Sequence, residues 1–108
     1  MQVERAKKNY LQGLSYNVDP LVESAIFNVM ALRQYFPQHD YSAIAKRLAE
    51  LSQNSPNATV RYKAFLAVQF MENPDWFGPY DFINREDRNV VFQDISQKIS
   101  GRLFGLGQ

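Results

Sequence analysis

Apolar residues recur along most of this chain at intervals of three and four, the spacing that brings side chains onto one face of an α-helix. Val3, Ala6, Tyr10, Leu11 and Leu14 share such a face, which predicts a first helix over 3–15 with Lys7 and Lys8 off the stripe. Gly13 costs about 1 kcal/mol relative to alanine, so the end of this element is expected to fray. Asp19-Pro20 then starts a second helix: the aspartate can accept from first-turn amides, and proline at the first helical position loses no hydrogen bond. That helix is expected to run to Phe36, where Pro37 ends it, with Leu21, Val22, Ala25, Ile26, Val29, Met30, Leu32 and Phe36 in a wide stripe.

A third helix is predicted over about 41–53, capped by Asp40, with Tyr41, Ile44, Ala45, Leu48 and Leu51 inward and Lys46, Arg47 and Glu50 outward. A polar turn at 53–57 separates it from a fourth helix over 57–72, and a connection this short joins antiparallel neighbours. Asn57 is the capping residue of that fourth helix. One seam there holds Val60, Ala64, Ala67, Val68 and Met71, and a second holds Tyr62, Phe65, Leu66 and Phe70. Two seams require neighbours on both flanks, which makes 57–72 the spine of the domain.

Residues 73–82 break the pattern with two prolines and a glycine and carry Trp76, Phe77, Tyr80 and Phe82. Residues 84–87 resemble a capping box with Asp87 in place of the usual glutamate. A last helix follows over about 85–104, with Val91, Phe92, Ile95, Ile99 and Leu103 on one face. No segment sustains the period-two alternation of a half-buried strand. The fold class is therefore all-α, a single domain over 1–108 built as a five-helix right-handed stack of antiparallel helices.

Composition narrows the function. A chain of 108 residues is one ordinary domain, and at 45% hydrophobic and 21% charged it has the makings of a packed core. A net charge of +1 argues against a dedicated nucleic-acid binder, which carries a strong basic excess. The chain has no cysteine, which removes disulfides, thiolate catalysis and cysteine-type zinc sites. The basic N-terminal stretch has no apolar region after it, and the longest apolar run, 64–68, is far short of the ~20 residues that span a bilayer. A soluble, cytoplasmic domain without membrane contact is expected.

Self-similarity adds a family resemblance. At an offset of 39 residues Leu21 falls on Val60, Ala25 on Ala64, Ile26 on Phe65 and Val29 on Val68, each set following a turn with a proline. The run Val60-Arg61-Tyr62-Lys63-Ala64 resembles the Val-Arg-x-x-Ala signature of HEAT-type repeats of the armadillo-like superfamily. Asp19-Pro20-Leu21 resembles the Asp-Pro opening of the same unit, although Val22 and Glu23 stand where arginine is expected. The resemblance covers about 19–72, with 3–15 and 85–104 as capping helices. It implies a scaffold or binding role and no chemistry.

His39, the only histidine, sits beside Asp40, and without a second histidine or a cysteine it reads as a turn residue rather than a metal ligand. Glu72, Asp75 and Asp81 could do acid–base work if held together, but as residues of a helix end and of proline–glycine turns they read as solvated. No catalytic residue, metal or cofactor is assigned. Lys46, Arg47, Arg61 and Lys63 could share a side of the packed helices and meet an acidic protein partner. Phe65, Phe70, Trp76, Phe77 and Tyr80 could wall a pocket for an apolar ligand, or the aromatic segment could fold back and close the helical stack. The expected function is a non-catalytic protein-interaction or scaffold module. The alternatives are a small-ligand-binding domain using those aromatics, and a homodimer through the last helix, which would leave Phe92, Ile95, Ile99 and Leu103 exposed in the monomer.

Overall fold

The computed structural model describes residues 2–84 and 88–104. They form five α-helices: α1 (Val3–Gly13), α2 (Asp19–Tyr35), α3 (Ser42–Asn54), α4 (Ala58–Glu72) and α5 (Arg88–Phe104), with a short 3-10 turn at Pro74–Trp76 and no strand among the described residues. The all-α expectation holds, and the predicted boundaries fall within a few residues of these. The capping sequence at 84–87 lies largely outside the described residues, as does the side chain of Leu103.

Local chemistry sets the helix ends. Pro20 occupies the first turn of α2, where its missing N–H costs nothing. Asp40 Oδ1 accepts the Ser42 N–H at 2.9 Å, so it caps α3 from two residues ahead, and that bond holds its carboxyl below the ordinary value. Asn57 Oδ1 accepts the Val60 N–H at 3.1 Å and caps α4 as expected. Tyr41, buried at the start of α3, turns its hydroxyl to the carbonyls of Leu32 and Phe36 at 3.1 and 2.6 Å. Pro37 stops α2, so the Phe36 carbonyl finds its partner in this hydroxyl, while the Leu32 carbonyl also accepts the Phe36 N–H at 2.9 Å.

The helices pack as two αα-hairpins, α1–α2 and α3–α4, laid side by side. Glu4 meets His39, Lys7 lies over the Tyr41 ring, and Arg47 reaches the Leu14 carbonyl. Partners on α1 and α3 therefore advance together, so those two helices are parallel. The same holds for α2 and α4: Asn57 donates to Asp19 at 2.8 Å, Lys63 to Glu23 at 2.8 Å, and Arg33 Nε to the Met71 carbonyl at 3.3 Å. Their sequence separations are 38, 40 and 38 residues, which brackets the 39-residue echo.

The echo sets neighbours side by side, but it does not give them equal environments. Leu21 is 49% exposed where its match Val60 is 1%, and Phe65 is 37% exposed where Ile26 is fully buried. Nothing in the packing identifies the hairpins as HEAT or armadillo units.

Burial corrects two of the predicted faces. Tyr62 and Phe65 point outward, so the second seam of α4 reduces to Leu66 and Phe70. On α2, Phe27 lies outside the predicted stripe yet is 2% exposed. Its ring centroid is 5.1 Å from that of Phe82 and 6.3 Å from that of Phe92, and the Arg88 guanidinium lies 4.8 Å above it. The middle of α2 is surrounded by α1, α4, the aromatic segment and α5, so no single stripe describes it.

The aromatic segment closes the stack. Phe77 and Phe82 are buried against Phe70, with centroids 6.1 and 5.9 Å from its ring. Gly78, at φ 56°, supplies the left-handed turn between Phe77 and Tyr80. Gln34 then grips the segment at two points, its Nε2 donating to the Tyr80 carbonyl at 2.7 Å and its Oε1 accepting the Tyr80 N–H at 2.8 Å.

Candidate functional site

The sequence-predicted ligand pocket does not assemble. Phe70 and Phe77 line a cavity of about 440 Å3 with Arg33, Gln34 and the Pro74–Pro79 turn, but Phe65, Trp76 and Tyr80 are not part of its lining. Trp76 is 37% exposed and carries the Arg102 guanidinium 4.3 Å above its ring. Tyr80 is half-buried, and its hydroxyl donates to Asp94. Burial, then this bond, pushes the Tyr80 hydroxyl well above its ordinary value, and the same bond together with Lys98 holds Asp94 below its own. The predicted aromatics thus serve mainly as the closing layer of the core, because rings this large are stabilised more by packing than by standing open to water.

The basic candidates do not form one free surface. Arg61 donates to the Ser55 carbonyl at 2.7 Å across the α3–α4 turn. Lys63 pairs with Glu23 on α2 and lies 5.2 Å above the Phe92 ring on α5. Arg47 faces the other flank, where it bonds the Leu14 carbonyl and Glu50, each at 3.3 Å, and its Nε is buried without a partner. Lys46 alone is exposed with no assigned contact.

Of the titratable candidates, His39 and Asp81 are likewise occupied. His39 Nδ1 lies 3.0 Å from Glu4 Oε2, so its carboxylate partner comes from α1 rather than from Asp40. Hydrogen bonds from His39 and Lys7 hold the Glu4 carboxyl below its ordinary value. Asp81 Oδ1 accepts the amides of Ile83 and Asn84 at 3.0 and 3.2 Å and shapes a turn, while Glu72 and Asp75 are exposed. Among the described residues no three His, Cys, Asp or Glu side chains gather as a metal site, and no helix is long and apolar enough to cross a membrane.

A larger opening than the aromatic cavity lies elsewhere, between the first two turns of α4 and the outer face of α5. It measures about 550 Å3. Ala58, Thr59, Tyr62 and Lys63 form the α4 wall; Asn89, Phe92, Gln93, Ser96 and Gln97 form the α5 wall. Tyr62 and Ser96 share a hydrogen bond that ties the two walls together. Among the described residues of the lining Lys63 is the one charged side chain, and Glu23 neutralises it at 2.8 Å.

The last helix leaves this face free because Val91, Phe92, Ile95 and Ile99 point into the molecule. That burial corrects the picture of an apolar dimer face on α5: Phe92, Ile95 and Ile99 are not exposed in the monomer. Thr59, Asn89, Gln93, Ser96 and Gln97 of this lining are not among the residues that the sequence singles out. The signal that could have found them is the run of carboxamides at 89, 93 and 97, four residues apart. No protein-family model, curated protein or solved structure matches this chain.

Proposed function

We propose that this chain is a non-catalytic protein-interaction module, a short helical repeat of two αα-hairpins completed by a fifth helix, which binds a protein partner in the α4–α5 groove. The observation that carries the reading is the groove itself: a concavity of about 550 Å3 between two helices, its charged lining residue Lys63 paired with Glu23 and the exposed Tyr62 at its wall. Interface cores are depleted in charge and enriched in tyrosine, which matches the lining of this groove. The parallel register of α2 on α4 and of α1 on α3 supports the repeat reading, since stacked hairpins present continuous edges of this kind. The non-catalytic part is supported by what the titratable residues do, each of His39, Asp40, Asp81 and Asp94 being spent on a cap, a turn or a tether.

Site-specific photo-crosslinking tests the proposal. A benzophenone side chain placed at Gln97 is expected to capture a protein from the cells of origin, and the same group at Lys8, which is exposed on α1, is not. Equal capture at both positions, or none at Gln97, refutes the groove as the binding face.

A further inference from the structure

Asn89, Gln93 and Gln97 stand four residues apart on α5, and all three line the groove. Four helical residues advance ~6 Å along the axis, and two residues of an extended chain advance about 6.6 Å. A row of carboxamides at that pitch meets every second residue of an extended chain lying along α5. Each carboxamide sets an acceptor oxygen beside an NH2 donor, and in an extended chain the N–H and carbonyl of one residue point to the same side, so a carboxamide can take both. This molecule already makes that match once, where Gln34 takes both the N–H and the carbonyl of Tyr80, at 2.8 and 2.7 Å, in the non-helical segment after α4.

Charge and length define the occupant further. Because Glu23 already neutralises Lys63, a charged side chain entering the groove would lose water without gaining an opposite charge. Tyr62, 51% exposed, provides ring surface for an apolar side chain. From Asn89 to Gln97 the helix rises ~12 Å, the length of about four extended residues.

We propose that the α4–α5 groove takes a short, extended, uncharged peptide segment of the partner protein, paired through its backbone to Asn89, Gln93 and Gln97 with an apolar side chain against Tyr62. This rests on the interaction reading above and specifies what the partner brings. A folded partner docking by its surface, or a small molecule filling the groove, are the competing occupants.

The test uses the full chain against a library of randomised heptapeptides blocked at both ends. Selected sequences are expected to lack Asp, Glu, Lys and Arg at their central positions. Methylating the peptide's backbone nitrogens one at a time should weaken binding at alternate positions and leave the intervening ones unchanged. Gln93→Leu and Gln93→Glu, both at an exposed position, should each weaken binding about tenfold while the thermal midpoint stays put. A selected peptide whose binding ignores Gln93 or shows no alternation under N-methylation overturns the proposal. So does a failure to select any peptide by a chain that still crosslinks a protein through Gln97, an outcome that leaves the interaction module standing. Failure of both experiments removes both.

Discussion

Gly13→Ala sets two physical effects against each other. Read from the sequence, glycine near the end of α1 is a weak point, and alanine would gain up to ~1 kcal/mol of helix propensity. In the fold, a Cβ at position 13 would stand 3.0 Å from the Cβ of Ala25. Carbon atoms rest at about 3.5–4.0 Å, so the two helices would have to part by roughly half an ångström or more. Ala25 Cβ is fixed to the α2 backbone and cannot rotate away, and α2 is held on its other side by α4. Overpacking of this kind costs typically about 1–3 kcal/mol, and the propensity gain is smaller at a last helical residue than in the interior. The expected net effect is a destabilisation of about 1–2 kcal/mol, a fall in the thermal midpoint of about 4–8 °C per kcal/mol for a domain near this size. Urea unfolding of Gly13→Ala, Ala25→Gly and the double variant closes the cycle. The double variant should be less destabilised than the sum of the singles by at least about 0.5 kcal/mol. If Gly13→Ala stabilises the protein, or the two substitutions simply add, the close approach of α1 to α2 is wrong.

Three further outcomes are expected. Phe27→Ala should cost about 3–5 kcal/mol in urea unfolding, because it empties the meeting point of α2, α5 and Phe82, while Leu21→Ala at the exposed end of the same helix should change little. Gln34→Leu removes both bonds to Tyr80 and should cost about 1–3 kcal/mol, with loss of protection from hydrogen exchange concentrated at Tyr80. Tyr80→Phe should flatten stability against pH at both ends. Asp94 is held below its ordinary value of 3.8, so its contribution is present above that value and is lost as pH falls through the lower folded one. Tyr80 is held above 10.0, so its contribution is present below that value and is lost as pH rises towards the higher folded one. A variant with an unchanged pH profile would show that the Tyr80–Asp94 bond does not persist in solution.

The candidate site was the least legible part of the chain, for a physical reason. Aromatic clusters in a sequence announce buried surface without saying whether a ligand or the protein itself covers it. Phe70, Phe77 and Phe82 prove to cover one another. Basic residues at outer helical positions announce charge without saying what has neutralised it, and for Lys63 that is Glu23, 40 residues away. The groove is built from carboxamides and serine, the residues whose chemistry is least distinctive in isolation. Only their common placement beside Tyr62 makes them a surface.

Helix number, approximate boundaries and the caps at Asn57 and Asp40 were written into the order of the residues, because they depend on side chains and amides within a few positions of one another. The 39-residue echo foretold a neighbour relation too, since α2 and α4 lie parallel at that separation. What the tertiary structure alone decided is which face of each helix is covered. Phe27 is buried and Phe65 half-exposed, although both are phenylalanines in helices of similar apolar content. The difference arises because α2 has neighbours on nearly every side and α4 has one flank open. Whether such a flank exists is a property of how five helices pack together, which no periodicity within one of them can encode.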